Sequence, residues 1–304
     1  MTVSALPDDG RGTVVTVGSF DGVHLGHHSV LEKIAERARR GKRRSVLVTF
    51  EPHPLEVVNP RAAPPLLTLS SERREILAQS ELDAVVFLAF TPELARATPA
   101  EFVRLLLDRW HLQELVIGFD HGFGRGRAGD VAVLRRLGKE LGFQVDVVPA
   151  VSVDGRPVSS TLIRRAVAGG DLAGAARFLG RPYSMTGTVV HGAGRGRGLG
   201  YRTINLAPPD PRKLLPPDGV YAVRVEWSGG AAGGMMHQGA RPTFGEATRS
   251  LEVHLFDAVP ELYDQTVKVM WVARLRDVMT FASPAALRAQ LDQDVTAARA
   301  ALTA

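Results

Sequence analysis

Between residues 13 and 180, short β-branched and aliphatic runs alternate with stretches whose apolar residues recur at helical spacing. The runs Thr13–Val17, Ser45–Thr49, Ala84–Ala89, Glu114–Gly118 and Gln144–Pro149 predict strands. The stretches Ser29–Arg40, Ser71–Leu82, Pro99–Arg109, Asp130–Leu141, Ser160–Ala168 and Asp171–Leu179 predict helices; in the first, Val30, Ile34 and Ala35 carry the apolar spacing. Regular strand–helix alternation predicts a parallel sheet wrapped by helices. Ligands of such sheets bind beyond the carboxyl ends of the strands. The turns after the first, second and fourth strands, Gly18–His27, Glu51–Pro54 and Gly118–Gly129, are therefore expected to meet at one edge.

The pattern changes after Gly180-Arg181-Pro182. Short β-type runs follow at Gly187–Val190, Val220–Glu226, Leu251–Phe256 and Thr266–Val272, separated by Gly and Pro clusters. Ser228–Gly234, rich in Gly and Ala, reads as a hairpin loop. No long helical pattern returns until Pro284–Leu302. This half predicts a small antiparallel β-barrel with a closing C-terminal helix. The chain is thus expected to be α/β, with a Rossmann-like domain over residues 1–182 and the barrel over 183–304. It shows no internal repeat and no low-complexity tract.

A chain of 304 residues with 45% hydrophobic content has material for one or two real cores. The absence of cysteine excludes disulfides, thiolate catalysis and cysteine-ligated zinc. Met1–Arg11 is polar and lacks the apolar core of a signal peptide. No apolar run approaches the roughly 20 residues that span a bilayer, so a cytoplasmic location without membrane contact is expected. The net charge of +5 raises the question of nucleic acid. The basic residues are nevertheless spread along the chain, and the clusters Arg37–Arg44 and Arg195–Arg197 are short. The first reads as a solvated helix end followed by a turn. Nucleotides account for the charge with less strain, and no nucleic-acid partner is expected.

The segment Gly18-Ser-Phe-Asp-Gly-Val-His-Leu-Gly-His-His28 links the first strand to the first helix. Free N–H groups and the positive dipole end of a helix start favour an anion. Gly18, Gly22 and Gly26 let a phosphate approach the backbone. His24 and His27 stand where charge building up during phosphoryl transfer could be met. A tight turn with solvent-facing histidines is the plainer alternative. Thr49-Phe-Glu-Pro-His-Pro54 serves either as a rigid cap of the sheet or as a ligand-lining loop. Gly118–Asp130 combines five glycines and two arginines, which suits phosphate, with Asp120 able to meet a ribose or base edge; a surface loop is the alternative. In Val158-Ser-Ser-Thr-Leu-Ile-Arg164, Ser159 or Ser160 can cap a helix and form a second anion site, with Arg164 one turn along.

These four motifs, in this order, resemble the His-x-Gly-His nucleotidyltransferases, and among them the adenylyltransferase half of bacterial bifunctional riboflavin kinase/FAD synthetases. The resemblance covers residues 13–182. It implies an ATP site formed by Gly18, Phe20, Asp21, Gly22, Gly26, Asp120, Ser159, Ser160, Thr161 and Arg164, with His24 and His27 catalytic.

The second half carries Gly187–Leu206, again glycine-rich and basic, ending in Thr203-x-Asn205. On a strand these two side chains share a face, and a hydroxyl with an amide oxygen suits magnesium and phosphate oxygens. They are equally two polar residues on a wet face. Glu252 stands within the apolar run Leu251–Phe256, either as a wet-face residue of an edge strand or as a general base. This half is similar to the riboflavin kinase module of the same enzymes. The similarity implies that Thr203 and Asn205 hold Mg2+ with ATP and that Glu252 deprotonates the ribityl hydroxyl. Gly192, Gly194, Gly200, Arg241 and Thr243 would complete the ATP and flavin site. The family usually has Pro at Arg202, Asn-Ile at His237-Gln238 and Gly at Asp264. The expected partners are riboflavin, FMN, FAD and ATP. Rival readings are an adenylyltransferase whose barrel binds flavin without kinase activity, a nucleotidyltransferase with another acceptor, and a basic RNA-binding protein.

Overall fold

The computed structural model describes residues 6, 9–118, 129–192, 201, 203–207, 210–241, 246–257 and 260–303. By its internal contacts the chain divides into two units, Met1–Ser160 and Thr161–Ala304.

The first unit is built on five parallel strands, β1 (Thr13–Val17), β2 (Arg44–Glu51), β3 (Ala84–Ala89), β4 (Leu112–Gly118) and β5 (Gln144–Val148), in the order β3-β2-β1-β4-β5. All five stand where the apolar runs predict them. β1 is buried along its whole length, as a central strand covered on both faces must be. Period-two alternation then splits its side chains between two cores. Val15 and Val17 join Val46, Leu115 and Ile117 under the helices α5 (Pro99–Trp110) and α6 (Val131–Leu141). Val14 joins Leu47 and Val116 under Ile34 of α1 (Leu25–Arg40) and Leu77 of α3 (Ser70–Ala78). Two short helices, α2 (Pro54–Val58) and α4 (Pro92–Arg96), carry no buried residue, so no apolar periodicity announces them. Each starts on a proline behind a capping side chain, His53 and Thr91. A two-stranded ribbon, β6 (Ser152–Val153) with β7 (Arg156–Pro157), closes the unit. Strand order reverses between β1 and β4, which makes their carboxyl ends the switch point where such sheets bind ligands.

The Arg37–Arg44 cluster is only partly a solvated helix end. Arg39 and Arg40 are exposed. Arg37 and Arg43 converge on Glu114 of β4, which is 1% exposed, Arg43 at 2.5 Å. Arg37 also reaches Asp146 of β5 at 2.5 Å, and the buried Arg44 pairs with Asp9. The end of α1 returns to the sheet, and a buried carboxylate there requires partners.

The second unit holds α7 (Ser160–Ala168, whose first residue belongs to the first unit) and α8 (Leu172–Leu179). Six antiparallel strands follow: β8 (Ser184–Val190), β9 (Ile204–Leu206), β10 (Gly219–Trp227), β11 (Gly230–Arg241), β12 (Glu246–Leu255) and β13 (Thr266–Arg276). They close into a barrel in the order β10-β11-β12-β9-β8-β13. Tyr221, Met236 and Val253 share one row of the interior, and Val223 pairs with Trp271. Alternate residues face out, where Val220, Ala222, Met235 and Phe256 pack under Ala298 and Leu302 of α9 (Pro284–Thr303).

The segment Ser228–Gly234 is not a loop. Only Ser228 and Gly229 form the turn, Gly229 at a φ of 104°, and Gly230 already pairs with Trp227. The glycines of β11 serve close packing. A Cβ on Gly233 would stand 2.7 Å from Leu302 Cδ1, and one on Gly234 2.8 Å from the His254 carbonyl oxygen.

α9 is tied down by Asp294, which accepts from Arg276 Nε at 2.9 Å and Nη2 at 2.6 Å and from Gln290 at 2.9 Å. Asp294→Ala leaves a largely buried guanidinium without its carboxylate. The expected cost is about 3–5 kcal/mol, the usual consequence of breaking a buried pair. It should lower the midpoint of the barrel's unfolding transition in urea; an unchanged midpoint would show that the pair does not hold the helix.

Candidate active sites

The turn after β1 is the first site. Phe20, Gly22 and Val23 take positive φ values of 49°, 83° and 39°. For a β-branched residue this is costly, and such strain concentrates at functional sites. The turn is held from below. The Asp21 carboxylate, 1% exposed, accepts from the N–H groups of Leu67 at 3.0 Å and Thr68 at 2.9 Å. Thr68 Oγ1 accepts from Gly22 N–H at 2.9 Å. Ser160 Oγ donates to the Asp21 carbonyl at 2.9 Å, which brings the start of α7 to the turn. Thr161 and Arg164 follow within α7, and Ser159 directly precedes it.

His24 caps α1, so the helix begins four residues earlier than its apolar pattern. The two imidazoles cap it reciprocally. His24 Nδ1 accepts from His27 N–H, and His27 Nδ1 accepts from His24 N–H, both at 3.3 Å. A ring nitrogen that accepts carries no proton, so the neutral tautomer of each places its N–H on Nε2. The rings stack with centroids 3.6 Å apart, and Phe20 stacks on His27 at 4.4 Å. A glycine bounds each end of this column. A Cβ on Gly18 would lie 3.0 Å from Phe20 Cε2, and one on Gly26 3.2 Å from the His24 ring. Gly26→Ala should therefore displace the His24 ring by a few tenths of an ångström while leaving α1 folded. Melting should be close to wild type, with activity at this site falling.

Arg73 of α3 was not singled out by any motif. Its guanidinium is buried and donates to the carbonyls of Ser19 at 2.7 Å and Phe50 at 2.8 Å. Thr49 Oγ1 donates to the same Ser19 carbonyl at 3.0 Å. Burial pushes Arg73 below its ordinary range, partly offset by the Asp21 and Glu51 carboxylates.

The second site lies on the outer face of the barrel. β12 pairs with β11 on one side and β9 on the other, so Glu252 is on no edge. It stands directly opposite both Asn205 and His237. Directly opposite residues point to one face at Cβ separations of roughly 5 Å. Ser250 Oγ donates to Glu252 Oε1 at 3.1 Å. Thr203 immediately precedes β9, two positions before Asn205. Gly192 lies against Asn205: a Cβ there would fall 2.0 Å from its Nδ2. Tyr201 donates to Asp292 of α9 and meets the edge of His254 at 5.0 Å. Burial first, and the Asp292 carboxylate next, push the Tyr201 hydroxyl up to about 12.

A family model described as FAD synthetase matches residues 6–162, and one described as riboflavin kinase matches 179–302. The bifunctional riboflavin kinase/FMN adenylyltransferase of Pseudomonas fluorescens is 41% identical over 298 residues, 97% of this chain and 94% of that protein. The protein of the same description from Escherichia coli (strain K12) is 37% identical over 291 residues, 95% and 92% of the two chains. The chain belongs to the bifunctional riboflavin kinase/FMN adenylyltransferase family. It phosphorylates riboflavin with ATP to give FMN, and it adenylylates FMN with ATP to give FAD and pyrophosphate. A solved structure described as a macrolide-efflux protein from Streptococcus pneumoniae shares the architecture over 97% of this chain and 96% of its own, with a TM-score of 0.86 and 31% identity. Among the described residues no helix is long and apolar enough to cross a membrane.

Within this bifunctional frame, one departure from the family pattern is explained by geometry. Asp264 takes a φ of 60°, the conformation glycine adopts freely, and its N–H donates to the Val189 carbonyl at 2.9 Å. The turn survives the substitution because Asp tolerates this region better than most residues. Gln238 is buried, and its amide donates to the carbonyls of Pro216 at 2.6 Å and Pro217 at 3.2 Å. Asp120, Gly194, Gly200, Arg202 and Thr243 lie outside the described residues, and Arg241 is the last residue of β11.

Proposed function

We propose that the two reactions divide between residues 1–182 and 183–304, with His24 and His27 serving adenylyl transfer and Glu252 serving riboflavin phosphorylation. The ranges of the two family matches and the start of β8 at Ser184 support this division.

For adenylyl transfer the supporting observation is the reciprocal cap. It fixes the orientation of both imidazoles, with the N–H of each on Nε2, at the positive end of α1. As FMN phosphate attacks the α-phosphorus of ATP, negative charge grows on the departing pyrophosphate. Two oriented donors stabilise that charge without reorganising. Gly18, Gly22 and Gly26 give the phosphates room, and Ser159 and Ser160 add hydroxyls at the start of α7. Phe20 supports His27 through the ring stack, and Asp21 holds the turn that carries both.

For phosphorylation it is the register. Glu252 opposite Asn205 places a carboxylate on the face that carries a hard amide side chain. Glu252 takes the proton of the ribityl hydroxyl as that oxygen attacks the γ-phosphorus and ADP leaves. Thr203 and Asn205 offer two neutral oxygens. That donor set fits Mg2+, which keeps waters and phosphate oxygens as its other ligands. Bound there, the ion would neutralise phosphate charge.

The assignment is tested by separating the steps. Given riboflavin and ATP, a His27→Asn protein should stop at FMN. Given FMN and ATP, a Glu252→Gln protein should proceed to FAD. Chromatography of the flavins reads both, and a variant that blocks neither step removes its residue from the scheme.

A further inference from the structure

We propose that Arg73 is a positioning residue for adenylyl transfer: by clamping the Ser19 carbonyl it aims the Phe20 N–H at the nucleotide phosphates. The proposal rests on reading the Gly18–His27 turn as the adenylyl site.

Two donors from different elements converge on the one carbonyl, Arg73 Nη1 at 2.7 Å and Thr49 Oγ1 at 3.0 Å. A trans peptide is planar, and its N–H points opposite to its C=O. Drawing the Ser19 oxygen toward α3 and β2 therefore turns the Phe20 N–H the other way, out of the sheet's carboxyl edge. Phe20 N–H donates to no acceptor among the described residues, whereas Gly22, Val23, His24 and His27 N–H all do. Phe20 itself is buried and held at a φ of 49°. An oriented amide without an internal acceptor, next to a helix start, has the makings of an anion donor. The second Arg73 arm, on the Phe50 carbonyl at 2.8 Å, locks the end of β2 to the same guanidinium. One side chain thus fixes the ends of β1 and β2 together. Its positive charge also lies beneath the turn, where it favours a polyanion above.

The test compares Arg73→Met, Arg73→Lys and Thr49→Val in the full chain, following FMN adenylylation with saturating FMN and varied ATP. A donor used mainly in the transition state moves kcat rather than KM. Arg73→Met should lower kcat by about 100-fold, the usual effect of losing one oriented amide donor. The KM for ATP should change by less than about threefold. Thr49→Val should lower kcat by about 2- to 10-fold, the worth of one neutral hydrogen bond. Arg73→Lys, which keeps the charge and one donor, should fall between them. Riboflavin phosphorylation should be unchanged in all three. A role in stability alone would lower the unfolding midpoint without this graded loss of kcat. Should Arg73→Met fail to fold, the other two variants decide: wild-type kcat in both overturns the proposal. His27→Asn separates the two levels of inference. If it forms FAD at the wild-type rate, the site reading fails and the proposal with it. If it is slow while folded Arg73 variants are not, the proposal alone is wrong.

Discussion

Replacing Glu252 with glutamine is expected to lower riboflavin phosphorylation by about 100- to 10,000-fold, the range that general-base assistance commands. The change is confined to the proton acceptor. Glutamine has the size of glutamate, and its amide oxygen can still accept from Ser250 Oγ, which stands 3.1 Å from Oε1. β12 keeps its partners on both sides, because backbone pairing does not involve the side chain. Riboflavin should still bind, and supplied FMN should still become FAD. The measurement is the initial rate of FMN formation from riboflavin and ATP. A wild-type rate would leave Glu252 as an ordinary outward-facing strand residue.

His27→Asn is expected to slow conversion of FMN to FAD by about 100-fold or more, as loss of a preorganised donor does. Asparagine is the informative replacement. Its Oδ1 can stand where Nδ1 now accepts from His24 N–H at 3.3 Å, so the reciprocal cap is retained. Alanine would remove the cap as well, at roughly 1 kcal/mol of helix stability, and would confuse the two effects. What asparagine lacks is a group at Nε2. Glutamine reaches further and should recover part of the rate. An asparagine variant that is folded and fully active would show that the imidazole serves only the helix.

Much of the architecture is legible without coordinates. Period-two and helical apolar spacing, punctuated by Gly and Pro, mark β1 to β5, the main helices and the change of texture after Pro182. These signals are local. Each is written in residues a few positions apart, and the water-avoiding faces they create force the layers that follow. The His-x-Gly-His segment is legible for the same reason: strand, turn and helix start are contiguous, so the histidines must stand at the helix N-terminus.

β11 shows where local signals end. Gly230–Gly234 has no apolar alternation, and its glycines look like loop residues. They are strand residues because they pair with β10, and Gly233 and Gly234 are glycine because Leu302 and the His254 carbonyl leave no room for a Cβ. The sequence therefore determined the order of the main elements and the chemistry each turn could support. Tertiary structure decided the rest. It set the barrel register that puts Glu252 opposite Asn205, the three-ring column closed by Gly18 and Gly26, and the arginine from α3 that grips the ends of β1 and β2. The register and the arginine contacts join residues far apart in the chain, and the column stands on a turn anchored by the distant Leu67 and Thr68. Their geometry follows from closure of the sheets and from packing in three dimensions, which no local periodicity encodes.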